Sequence, residues 1–112
     1  MAVVVKTLIP SKQAENVLTV QYSVSNGRTI IDKFTATNTS ASNVGINVYL
    51  IQSGDAAGSS TLIVDTRVIV PDETYTFPEL VGHVLEAGAY ISTIASAASA
   101  LTIRASGREI TT

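Results

Sequence analysis

Histidine is the side chain best suited to moving protons near neutral pH, and this 112-residue sequence contains one, His83. It stands between Gly82 and Val84, and no Gly-x-Ser-x-Gly turn exists in the chain to present an activated serine to it. A zinc tetrahedron needs several nitrogen or sulfur ligands. A lone imidazole with no cysteine and no His-x-His or His-x-x-x-His spacing does not supply them. The carboxylates are Glu15, Asp32, Asp55, Asp65, Asp72, Glu73, Glu79, Glu86 and Glu109, and only Asp72 and Glu73 adjoin. They follow Pro71 in a turn, where solvated acids are ordinary. A glycosidase acid pair can be distant in sequence, but aromatics at 5% of residues leave little for a sugar platform. Gly54-Asp55-Ala56-Ala57-Gly58-Ser59-Ser60 has the small residues of a phosphate loop without its lysine or the following helix, so it reads as a hairpin loop. Lys33, Arg67, Arg104 and Arg108 are either a small cationic patch or scattered charges that solubilise strand faces. The expectation is a protein that is not an enzyme, with no catalytic residue, no cofactor and no metal.

Composition narrows the remaining classes. A chain of this length supports one core and one domain, 1–112. Net charge is −2, which gives no electrostatic footprint for nucleic acid. No cysteine is present, so disulfides and thiolate metal sites are excluded. The opening MAVVVKTLIP is too short for a membrane span and has neither a basic n-region nor a signal cleavage site. Synthesis and folding in a cytoplasm are expected, with neither membrane nor nucleic acid as partner. Charged residues are only 14%, well below the usual quarter. Serine and threonine fill polar positions instead, and such a surface can pack on another protein with little charge desolvation.

The segments that must position any site alternate with a period of two. Val44, Ile46, Val48 and Leu50 share one face, with Gly45, Asn47, Tyr49 and Ile51 on the other. From Thr61 to Val70, Leu62, Val64, Val68 and Val70 oppose Ile63, Asp65, Arg67 and Ile69, and Pro71 ends the run. Val17–Val24 reads as a strand with Leu18, Val20, Tyr22 and Val24 inward. Ser25-Asn26-Gly27-Arg28 predicts a type I′ hairpin turn into Thr29–Thr37, with Ile30, Phe34 and Ala36 on one face. Ala2–Ile9 is apolar on both faces and ends at Pro10, so it is either a buried strand or an arm that pairs with something else, with residues 1–10 as an N-terminal arm or edge strand. Leu80, Val81, Val84 and Leu85 sit at helical spacing after Pro78-Glu79, which predicts one short helix near residues 78–86. Ile91 and Ala95, then Leu101, Ile103 and Ala105, define two more strands, and Gly107 suggests a bulge. About eight strands with turn signals between them predict an all-β, single-domain β-sandwich of jelly-roll or Greek-key type.

What remains for function is surface. Tyr22, Tyr49, Tyr75 and Tyr90 are the large amphipathic side chains of a kind enriched at interfaces. Val3, Val4, Val5 and Leu8 in the N-terminal segment, with Tyr49 and Ile51 on the second apolar stripe, are the candidate protein-interface residues.

The runs KFTATNTSASNVGINVYLIQSG, IVDTRVIVPDETYTFPELVGHVLEAG and LTIRASGREIT resemble small structural proteins of tailed bacteriophage particles. The resemblance spans about Lys33 to Thr111. It implies a capsid cement or decoration protein on the virion surface, where it binds the major capsid protein or other virion proteins as a dimer or trimer. A tail, collar or fibre-associated adaptor, or a carbohydrate-binding attachment module, are the alternatives it leaves open. No residue of a defined contact site carries over from it.

Overall fold

The computed structural model describes residues 2–111, which form nine strands and no helix. These are β1 (Ala2–Gln13), β2 (Thr19–Ser23), β3 (Arg28–Asn38), β4 (Val44–Ile51), β5 (Leu62–Ile69), β6 (Thr74–Tyr75), β7 (Val84–Leu85), β8 (Tyr90–Ala95) and β9 (Leu101–Thr111). One sheet runs β1-β9-β3-β6, with β7 also on β3, and the other runs β2-β8-β4-β5. Every pairing is antiparallel. The pairings nest: β4 with β5, β3 with β6 and β7, β2 with β8, β1 with β9. The chain is therefore one long hairpin folded over on itself, closed by the contacts of β9 with β3 and of β8 with β4.

One apolar cluster lies between the layers. Ile31, Phe34 and Ala36 of β3 and Leu101, Ile103 and Ala105 of β9 meet Val44, Ile46 and Val48 of β4 and Ile91 and Ala95 of β8. The only two phenylalanines, Phe34 and Phe77, meet edge to face at 4.9 Å, a favoured aromatic geometry. Asn38 is fully buried at the end of β3. Its amide nitrogen donates to the carbonyls of Ser42 and Ile69 at 2.8 and 2.7 Å, and its Oδ1 accepts from the Ser40 amide at 2.9 Å. That one side chain fixes the crossing from β3 to β4 and ties it to the end of β5.

Several sequence expectations are corrected. The Ser25–Arg28 turn is not a hairpin, because β2 pairs β8 while β3 pairs β9, so the turn carries the chain from one sheet to the other. Positive φ falls on Gly27 (68°) but not on Asn26, so the type I′ requirement is not met. The helix near 78–86 is absent. Phe77 and Gly82 take positive φ, and two short turns join Leu80 N to Phe77 O and His83 N to Leu80 O. The sequence there is too short to nucleate a helix alone, and the flank of β3 offers its backbone a better partner. Gly82 N donates to Ile31 O at 2.7 Å, and Ile31 N donates to His83 O at 3.1 Å. Pro10 does not end the first strand. β1 runs through it with register shifts between Thr7 and Ile9 and between Ile9 and Lys12, as proline at a bulged edge permits.

Bulges also shift the faces. A register break between Ile31 and Lys33 buries Thr29 and Ile31 on the same side as Phe34 and Ala36, leaving Ile30 half-buried. In β5, Thr66 takes φ 51° and its amide donates to Asn47 Oδ1 at 2.6 Å. The alternation changes phase there, so Ile69 is buried while Val68 and Val70 are exposed. Gly107 of β9 lies between two such irregularities, facing Lys6 of β1 on one side and Ile31 of β3 on the other. A Cβ at Gly107 would collide with the Ile30 carbonyl oxygen and press on Leu8 Cδ1. Gly107→Ala is expected to destabilise the fold by about 2–4 kcal/mol, read as a lower urea midpoint at unchanged slope. An unchanged midpoint would mean that β1 and β3 give way at no cost.

Candidate interaction surfaces

Among the described residues, the groups with chemical potential are dispersed rather than gathered. His83 is exposed in the turn before β7, and its backbone secures β3. It lines a groove of about 380 Å³ with Gln52, Asp55, Ser60, Val84 and Glu86. Glu86 is engaged by Arg28 Nε at 2.8 Å, and among the described residues no hydrogen bond joins His83 to either acid. No group of three or more His, Asp or Glu placed to hold a metal ion occurs among the described residues. The Gly54–Ser60 loop is exposed, and two of its amides are bonded within the chain. Gly58 N donates to Thr61 Oγ1 at 3.0 Å and Asp55 N to Gln52 O at 3.0 Å, so these amides do not point at an anion. The cations are dispersed: Arg108 chelates Asp32, Arg104 reaches Ser11 and Thr7, and Arg67 lies 3.9 Å above the Tyr75 ring.

Three of the four tyrosines serve the interior of the chain. Tyr22 shares a hydrogen bond with Thr29 at 3.0 Å, Tyr90 donates to Asp55 O at 3.0 Å, and Tyr75 donates to Glu79 Oε2 at 2.6 Å. Tyr49 is half-buried on the outward side of β4, opposite Leu62 and Ser92. Ile51 also points away from the main core, opposite Tyr90, yet it is only 1% exposed. Ile51 therefore offers no surface to a partner, while Tyr49 on the same stripe stays partly exposed. Leu8 is likewise in the core at 4% exposure, because the bulge after Thr7 turns it inward.

Val3, Val4 and Val5 lie in the open, at 52%, 51% and 79% exposure on the first half of β1. The structure therefore separates the six candidate residues: three valines on one sheet edge, Tyr49 on the outer face of the other sheet, and two in the interior. Sequence reasoning missed further exposed apolar positions. Val17, Leu18 and Val20 lie on and before β2, Val68 and Val70 on and after β5, and Val81 and Val84 beside β7. Leu18 and Val20 were expected inward, and Val68 and Val70 were placed on one face with Val64, from which the irregularity at Thr66 separates them. Every edge of the two sheets thus carries some apolar surface. No helix is long and apolar enough to cross a membrane.

No protein-family model matches the chain, and no curated protein matches it in sequence. Among solved structures, the chain is similar in fold to a subunit described under Bacillus endospore appendages that form a family of disulfide-linked pili. The identity is 15% over 98% of this chain and 89% of that one, with a TM-score of 0.57. A second similarity is to a chain of infectious bursal disease virus Gx strain, 13% identical over 96% of this chain and 31% of that one, at a TM-score of 0.49. At 15% identity the likeness to the appendage subunit is one of fold.

The Tyr75–Glu79 contact gives a pH test. The Tyr75 hydroxyl, more than any other group, holds the Glu79 carboxyl below the usual glutamate range, and the same bond raises the Tyr75 phenol. Since the folded-state value of Glu79 is depressed, its contribution is present above its unfolded pKa and is lost as pH falls through the folded one. Tyr75→Phe is expected to move the Glu79 midpoint upward in a carbon-detected NMR titration. Its effect on melting temperature should shrink from about pH 6 to about pH 3. A midpoint that stays in place would assign the shift to another group.

Proposed function

We propose that this chain is a non-enzymatic structural protein of a tailed-bacteriophage virion, a capsid cement or decoration protein that binds the major capsid shell and stabilises it. The observation that carries this reading is the division of labour in the surface. The arginines and several acids are engaged by bonds within the chain and the remaining ionisable groups are dispersed, while valines and Leu18 are left exposed along the sheet edges. An enzyme would need the opposite arrangement, with reactive groups free and gathered. The nested strand order is that of a jelly roll, an architecture shared by viral capsid and lectin domains, although fold by itself names no role. The pili of the similar endospore structure are disulfide-linked, whereas a chain with no cysteine must join its neighbours without disulfides. Many weak contacts repeated around a shell then add up through effective concentration. The partners are the major capsid protein or other virion proteins, together with further copies of this chain.

Two measurements on purified particles test this. Quantitative mass spectrometry is expected to find on the order of hundreds of copies per particle, whereas about six or twelve would place the chain in a tail or collar adaptor. Particles that lack the chain are expected to release their genome at a lower temperature than complete ones. Equal heat resistance would overturn the cement role. A specific signal on a glycan array would favour a carbohydrate-binding attachment module instead.

A further inference from the structure

We infer that Ala2–Lys6 of β1 is a self-pairing edge, along which two copies of this chain join antiparallel about a two-fold axis at Val4 to form one continuous sheet. This inference rests on the structural-subunit reading and adds the identity of one partner and the geometry of the contact.

An edge strand carries a row of unpaired amides and carbonyls, and soluble proteins block such rows with prolines, bulges, charges or short strands. Among the described residues, the edges here are blocked with one exception. β6 and β7 are two residues each. β5 is bulged, with Thr66 at positive φ between Asp65 and Arg67. β2 is five residues long and broken by a register shift between Val20 and Tyr22. The second half of β1 carries Pro10, two register shifts and Lys12. Its first half carries none of these. Ala2 to Thr7 stay in unbroken register with Thr111 to Ser106 of β9, and no other strand pairs with their free side.

The one charge that would guard this half is drawn into its own subunit. Lys6 Nζ reaches Glu109 Oε2 at 3.3 Å and lies 5.7 Å from the Tyr22 ring centre. Antiparallel pairing about Val4 sets Val4 against Val4, Val3 against Val5 and Ala2 against Lys6. Valines directly opposite one another are favourable cross-strand pairs, and no like charges face each other. Val5, the most exposed large apolar side chain described, is covered in the process. Because no second edge of matching length is open, head-to-tail growth finds no partner strand. Self-pairing is the one sheet continuation available between copies, and a self-complementary contact closes as a dimer.

The test uses the absence of native cysteine. Opposed residues of an antiparallel pair have Cα atoms about 4.5–5.5 Å apart, within disulfide reach. Val4→Cys is therefore expected to form a covalent dimer under mild oxidation about tenfold or more faster than Val20→Cys or Val68→Cys, which are similarly exposed elsewhere. Sedimentation equilibrium of the unaltered chain should show a monomer–dimer equilibrium. Val4→Lys, which opposes two ammonium groups on the axis, should weaken it about tenfold or more without lowering the melting temperature at concentrations where the unaltered chain is monomeric. Equal cross-linking rates in the three cysteine variants, or a monomer at every concentration, overturn the pairing. Binding to particles that lack the chain is scored separately. A chain that binds them while remaining monomeric overturns only the self-pairing. A chain that dimerises through Val4 but binds no particle supports the pairing and overturns the virion role.

Discussion

The last strand of this chain lies inside a sheet, and the rest of the architecture follows from that. β9 is flanked by β1 on one side and β3 on the other, so the final eleven strand residues pair with one side of the first twelve. Lys6 and Glu109, joined in an ion pair, are 103 positions apart. Neither β1 nor β3 has its central partner until the whole chain is present, which makes non-local pairing the main entropic cost of folding. It also explains the weight placed on Gly107, where β9 must pass both neighbours at their irregular points and no side chain fits. Since β1 spends one side on β9, its other side becomes the boundary of the sheet.

With few aromatics, the interior relies on placement rather than bulk. A line of contacts runs from the surface inward: Arg67 over Tyr75, Tyr75 edge to face with Phe77 at 4.8 Å, and Phe77 with Phe34 at the centre. It fastens the β5 edge and the short β6 to the core and supplies what longer strands would otherwise provide. Asn38 does the same at the neighbouring crossing with hydrogen bonds alone. Both devices use polar groups structurally, which is why a sequence with acids, arginines and a histidine yields no gathered reactive set among the described residues.

The all-β class and several faces were legible because an uninterrupted alternation has one physical solution. Leu101, Ile103 and Ala105 are buried as their spacing dictates, and so are Val44, Ile46 and Val48. The errors cluster where a local preference competes with a distant partner. Asn26-Gly27 favours a tight hairpin, but the end of β2 is bonded to Gly88 and Ala89 instead. Pro78 and the spacing of Leu80 to Leu85 favour a helical turn, but β3 takes those backbone groups. Bulges are the other source of error. A single extra residue at Asp32 or Thr66 inverts every side chain beyond it, and nothing in a pattern of valines and threonines announces where the break falls. For the candidate surface, apolar character on both faces of Val3–Val5 suited a buried strand as well as a pairing arm, and only the position of β1 at the sheet edge leaves these valines exposed. Burial of Ile51 was not legible, because alternation assigns it to the outward side of β4 and does not say what packs there.

The distribution of blocked and open edges bears on what kind of assembly such a subunit can enter. A unit with two open, complementary edges would polymerise without limit. One with none would depend on its faces alone. Here the blocks are dense along β2, β5, β6, β7 and the second half of β1, and they stop at Thr7, leaving an opening of about 20 Å on a body 46 Å long. A contact of that length satisfies backbone groups without consuming the outer faces of the sheets, where Tyr49 and Val20 remain available to a different neighbour. Such a subunit can pair once with its own kind and still lie against a shell, and its low charge spares that second contact a desolvation cost.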